Sequence, residues 1–203
     1  MKDSNLFSRT SKGDSIFNPS NFKSLGRNEL IEIFNVLNDK LSDNRLSLSL
    51  TIYGGTVMNL LYDVRPATRD IDCVFSNTDF KLLDSILKDI AFIYSLGDNW
   101  INDEIKVPLE SLIREDLSLF NRYSNLDIQM PSKEQLLAMK VLSARPEPSK
   151  DFIDAYLLCR DLGVKTKREL LDIFSKFIPK TLIGERQIQF IKYLGEDLGY
   201  DWK

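Results

Sequence analysis

The run from Ser47 to Gly55 constrains the fold most. Leu48, Leu50 and Ile52 alternate with Ser47, Ser49, Thr51 and Tyr53, the period-two pattern of a strand with one buried face. Gly54 and Gly55 end the alternation, and Val57, Leu60 and Leu61 follow at the spacing of a short helix. Two later segments repeat the strand pattern. In Asp70 to Phe75, Ile71, Cys73 and Phe75 take one face while Asp70 and Asp72 take the other. In Asn125 to Met130, Leu126, Ile128 and Met130 alternate with Asn125, Asp127 and Gln129.

Around these strands the period changes to 3.6. Leu30, Ile33, Phe34, Leu37 and Leu41 predict a helix over Asn28 to Leu41. Asn77-Thr78-Asp79 reads as the cap of a helix through Ile90, with Leu82, Leu83, Ile86 and Ile90 as its stripe. Short strands are expected at Ala91 to Ser95 and Ile105 to Pro108. Beyond Pro131 the spacing predicts helices over Lys133 to Ala144, Lys150 to Leu162, Lys167 to Ile178 and Arg186 to Leu198, punctuated by Pro146, Pro148, Gly163, Pro179 and Gly184. The expected class is α+β: a small mixed β-sheet core with flanking helices over residues 28–130, then a C-terminal helical bundle over 131–203. Residues 1–27, polar and serine-rich with Phe7, Phe17 and Phe22 scattered through them, read as a loosely ordered lead-in.

Composition narrows the chemistry. The chain has no histidine, which removes Ser-His and Cys-His nucleophiles, an imidazole base and His-ligated zinc. The two cysteines, Cys73 and Cys159, stand far apart and read as buried free thiols in a reducing compartment. A net charge of −3 is not that of a protein that coats polyanions. The segment Lys165 to Lys180 is nonetheless locally basic, through Lys165, Lys167, Arg168, Lys176 and Lys180. No apolar run reaches the ~20 residues of a membrane span and no signal peptide is visible, so no membrane partner and a cytoplasmic location are expected.

Acid–base and metal chemistry must then rest on carboxylates, lysine or tyrosine. Asp70 and Asp72 share a strand face, where a divalent cation would relieve their repulsion and take their oxygens as hard ligands; a solvated strand edge is the plainer alternative. Asp127, polar-facing on another strand, is the third carboxylate expected to complete a two-metal site. Gly54 and Gly55 between strand and helix let backbone N–H groups approach an anion, and Thr56 adds a hydroxyl. Arg65 and Arg69 lead into the Asp70 strand and are candidate phosphate ligands, or ordinary surface arginines. Lys140 shares a helical face with Leu137, Val141 and Ala144, so it either snorkels out or meets an anion. Asp151, in a first turn, would also complement a helix dipole. Tyr53 either packs or stacks on a base.

In order and spacing, the run from Tyr53 to Asp72 resembles the signature of the DNA polymerase beta-type nucleotidyltransferase superfamily, and within it the small bacterial branch of abortive-infection and toxin-type nucleotidyltransferases. The matching positions are Gly54, Gly55, Arg65, Thr68, Asp70 and Asp72, with Pro66 and Ala67 between Arg65 and Thr68. Downstream, Gln135 to Arg145 and Lys150 to Leu158 are similar to that branch's helical segment, where a lysine and an aspartate line the cleft; the matching residues are Lys140 and Asp151. The resemblance implies magnesium or manganese, a nucleoside triphosphate donor, and transfer of a nucleoside monophosphate to an acceptor hydroxyl. It also implies a toxin-like role on tRNA or another RNA, with an antitoxin-like protein partner. Small-molecule acceptors of the antibiotic type, protein acceptors, and a catalytically silent binding module of the same fold stand as alternatives.

Overall fold

In a computed structural model of the chain, the described residues are 25–62, 68, 70–76, 78–103, 110, 112–144 and 149–200. Among them the chain runs through α1 (Arg27–Asp43), β1 (Leu48–Ile52), α2 (Gly54–Tyr62), β2 (Ile71–Ser76), α3 (Phe80–Tyr94), β3 (Ile101–Asn102), β4 (Leu117–Arg122), β5 (Leu126–Pro131), α4 (Lys133–Leu142), α5 (Lys150–Leu162), α6 (Lys167–Phe177), a 3-10 turn (Lys180–Leu182) and α7 (Glu185–Asp197). The α+β class is as expected. The strands form one mixed sheet in the order β3-β2-β1-β5-β4. β1 runs antiparallel to β2 and parallel to β5, while β2–β3 is parallel and β4–β5 antiparallel.

The alternation in the sequence sets the two sheet faces. Leu48, Leu50, Ile52, Ile71, Cys73, Leu126 and Ile128 are buried and join the stripe Leu30, Ile33, Phe34, Leu37 and Leu41 of α1 in one core. The opposite face carries Ser49, Thr51, Asp72, Val74, Asp127 and Gln129, all partly exposed. The helices after Pro131 pack on one another, with α4 against α5, α6 and α7. Their apolar stripes belong to the same continuous core as the sheet, so the helical half is built onto the sheet.

Several local expectations change. Ala91 to Tyr94, expected as strand, continues α3, which stops where Ser95 adopts a left-handed backbone (φ 55°) and its N–H turns back to Phe92. Asp79 caps this helix as expected, accepting from the N–H of Lys81 and Leu82. The buried stripe of α3 is Leu83, Ile86, Leu87, Ile90 and Ala91, and Leu82 faces outward. The pieces β3 and β4 were not anticipated. The segment Ile105 to Pro108 lies outside the described residues. So does 1–24 of the lead-in, but Leu25 is fully buried and pairs with Thr68 through two backbone hydrogen bonds (2.7 and 2.9 Å).

Candidate active site

Gly54 opens α2 with φ +65°, a conformation that L side chains resist. Position 54 is also closed by its neighbour, because a Cβ there would lie 2.9 Å from Asp72 Oδ2. Glycine therefore serves both the turn and the approach of the Asp72 carboxylate to the N-terminus of a helix, where N–H groups and the helix dipole favour negative charge. The strand register fixes that approach. Ile52 faces Cys73 across the antiparallel pair, and the Tyr53 N–H donates to the Asp72 carbonyl at 2.8 Å.

Asp70 is held from behind. Its backbone carbonyl accepts from the hydroxyls of Thr56 (3.1 Å) and Thr68 (2.9 Å). Thr68 is tied to Leu25, and the Leu25 carbonyl accepts from the buried Asn59 amide at 3.1 Å. Thr56 is 1 % exposed. Its hydroxyl is directed to the Asp70 backbone and helps to position the strand entry. Arg65 and Arg69 lie outside the described residues.

Asp127 does not join Asp70 and Asp72. On β1 it stands level with Ser49, whereas Asp72 stands level with Tyr53. Those two levels are four residues apart, about 13 Å along the strand at ~3.3 Å per residue. Asp127 instead takes two hydrogen bonds from Arg122 across β4–β5, Nε to Oδ1 at 3.0 Å and Nη2 to Oδ2 at 3.3 Å. The expected third carboxylate is thus the partner of an arginine further along the same sheet face.

The helical half contributes a buried charge cluster. Lys140 Nζ lies 2.9 Å from Asp151 Oδ1 and 2.8 Å from Asp154 Oδ2. The Lys140 and Asp154 side chains are 8 % and 0 % exposed, that of Asp151 16 %. Of the two readings of Lys140, the structure excludes snorkelling into solvent. Asp154, one turn beyond Asp151 in the sequence, joins it at the same ammonium from a buried helix face beside Ala155 and Leu158.

Two contacts locate this cluster relative to the strand end. Tyr53, 2 % exposed, packs its ring against Met139, the residue before Lys140. At the other end of α2, the Tyr62 hydroxyl donates to Asp161 at 2.7 Å, and Lys133 pairs with Asp161 while lying 5.6 Å from the centre of the Tyr62 ring. α4 therefore runs back along α2, with its Lys140 turn at the Gly54 end. α5 runs the other way, so Asp151 and Asp154 share that end. The burial of Tyr53 excludes stacking on a base. Its hydroxyl reaches Glu115 at 3.1 Å, and burial first, then the negative charge of Glu115, push the phenol pKa up.

The basic stretch after Gly163 is a solvated face. Arg168 lies 3.8 Å from Asp172, and Lys176 2.8 Å from Glu134. Among the described residues no helix is long and apolar enough to cross a membrane. Comparisons of this chain with protein families, with curated proteins and with solved structures give no match.

Proposed function

We propose that this chain is a metal-dependent nucleotidyltransferase whose site lies where Asp72 meets the N-terminus of α2, with Asp70 two residues before it at the strand entry. The observation that carries the reading is the seating of the Asp72 carboxylate against Gly54, with Lys140 brought to the same end by the Tyr53–Met139 contact. Asp72 on β2 and Asp70 just before it suit magnesium, which is commonly held by one or two carboxylates with waters and substrate phosphates completing its shell. When bound, such an ion neutralises phosphate charge and orients the acceptor hydroxyl. The chain's own groups do the rest: Asp70 and Asp72 hold the ion, the Gly54–Gly55 backbone faces phosphate oxygens, and Lys140 offsets charge on the triphosphate. The acceptor oxygen bonds to the α-phosphorus, the bond from that phosphorus to the β-phosphate's bridging oxygen breaks, and pyrophosphate and the hydroxyl proton leave.

On the resemblance alone, the acceptor is tRNA or another RNA and the role toxin-like. The basic surface after Gly163, where Arg168 and Lys176 face carboxylates, lends the RNA acceptor no added support. A second reading, a catalytically silent binding module of the same fold, is favoured by the engagement of Asp127 with Arg122. Melting the protein with each nucleoside triphosphate, with and without magnesium, discriminates the two. A magnesium-dependent rise in Tm, lost in Asp72→Asn, is expected of the enzyme; no rise with any nucleotide would favour the silent module.

A further inference from the structure

Lys140 is held by two carboxylates that differ in one respect. Asp154 is fully enclosed, whereas Asp151 reaches solvent at the opening turn of α5. An ammonium enclosed this deeply would be costly without a fixed counter-charge. A ligand arriving from solvent can exchange with Asp151, but cannot reach Asp154 without opening the helix pair.

We propose that Asp154 is a positioning residue. It fixes the Lys140 ammonium at the Gly54 end, and Asp151 is the solvent-side carboxylate whose place a polyphosphate takes. The polyphosphate clause rests on the nucleotidyltransferase reading; the hold of Asp154 on Lys140 does not. The helix phase accounts for the arrangement, because residues three apart on α5 present both carboxylates to the same neighbouring helix, and Asp154, one turn further in, lies beside Ala155 and Leu158 in the core.

Acetylation of lysines by a limiting dose of acetic anhydride, read peptide by peptide by mass spectrometry, tests this on the full chain without any activity assay. Lys88, 75 % exposed, is the external reference, and Lys133 on the same helix reports general loosening. Asp154→Asn is expected to raise Lys140 labelling by roughly tenfold or more, the effect of breaking an enclosed ion pair. Asp151→Asn should raise it less, and Asp154→Glu should restore most of the protection. Inorganic tripolyphosphate with magnesium should shield Lys140 in the unaltered protein and in Asp154→Glu, but not in Asp154→Asn. Equal Lys140 labelling in Asp154→Asn and the unaltered protein would overturn the positioning role. A parallel rise at Lys133 would also overturn it, by showing that the helix as a whole had loosened. Release of Lys140 in Asp154→Asn, with no shielding by tripolyphosphate in the unaltered protein, would uphold the hold and overturn the polyphosphate clause together with the nucleotide reading. If Asp154→Asn does not fold, Asp154→Ser carries the comparison: Lys140 labelling raised with Lys133 unchanged supports the role, and Lys140 labelling equal to that of the unaltered chain opposes it.

Discussion

The Asp72 carboxylate lies against the bare α-carbon of Gly54, so close that a methyl group there would stand 2.9 Å from its Oδ2. One glycine thus couples the turn after β1 to the placement of the acid on β2. The Gly54→Ala change forces a strained left-handed alanine, at about 1–2 kcal/mol, and pushes the carboxylate aside. A lower urea midpoint is expected, with transfer reduced by on the order of 100-fold, as for misplaced reacting groups. Full transfer by a folded Gly54→Ala protein would show that this approach is irrelevant to the chemistry.

Asp127 and Arg122 form a partly exposed bidentate pair on β4–β5. Its removal by Asp127→Asn should cost no more than about 1 kcal/mol and leave transfer intact. Loss of transfer as deep as in Asp72→Asn would return Asp127 to the reaction despite its place in the register.

Removal of the Lys140 ammonium takes the cation from an enclosed Asp154 and from Asp151 at the solvent side. Lys140→Met should destabilise the fold by about 3–5 kcal/mol. The Lys140→Met, Asp154→Leu double variant should lose less than the sum of the two single changes, since the pair is directly coupled. Strict additivity in denaturant unfolding would contradict the contact.

Asp161 receives hydrogen bonds from Lys133 and Tyr62, and these hold its pKa below the usual 3.8. A carboxylate lowered in the folded state contributes stability that is present above its unfolded pKa and is lost as pH falls through its folded pKa. The unaltered protein should therefore exceed Asp161→Asn in urea midpoint near pH 6, with the gap closing as pH falls below about 4. A gap that is constant from pH 6 to pH 3 would show that the carboxylate charge is not what ties α2 to α4 and α5.

Both thiols are enclosed in the core. Burial pushes Cys159 up to about 12 and raises Cys73 well above its ordinary value, with Asp103 and Asp72 adding to the shift. Neither should react with a disulfide reagent at pH 8 until the protein unfolds. Rapid reaction of a thiol in the native protein would place it outside the core.

The sheet was legible wherever one face is apolar and the other polar. Ser47 to Tyr53, Asp70 to Phe75 and Asn125 to Met130 each alternate, and each supplies a strand within one residue of either boundary. β4 escaped notice because it is an edge strand with Leu117 and Phe120 only half-buried and Leu119 exposed, so no inward stripe marks it. Ala91 to Tyr94 does not read as helix in the sequence because α3 ends at Ser95, a residue without the glycine signal usual at a left-handed helix end.

The candidate site was legible as residue types but not as partnerships. Asp127 looked equivalent to Asp72 on pattern alone; only register, a long-range property, places it four residues away along β1. Thr56 next to a Gly-Gly turn suggested ligand contact, and the bond of its hydroxyl to the Asp70 carbonyl is a contact between residues fourteen apart that no local spacing encodes. The link between Tyr53 and Met139 joins residues far apart in sequence, and no local spacing encodes it.

The most direct test of the central claim is label transfer from each of the four α-labelled nucleoside triphosphates, with magnesium, to total RNA, to total protein, to small-molecule hydroxyl acceptors and to the chain itself. Label is expected on one acceptor class, and its loss in the Asp70→Ala, Asp72→Ala double variant. Magnesium-dependent nucleotide binding without label on any acceptor, or label that persists in that variant, would contradict the claim.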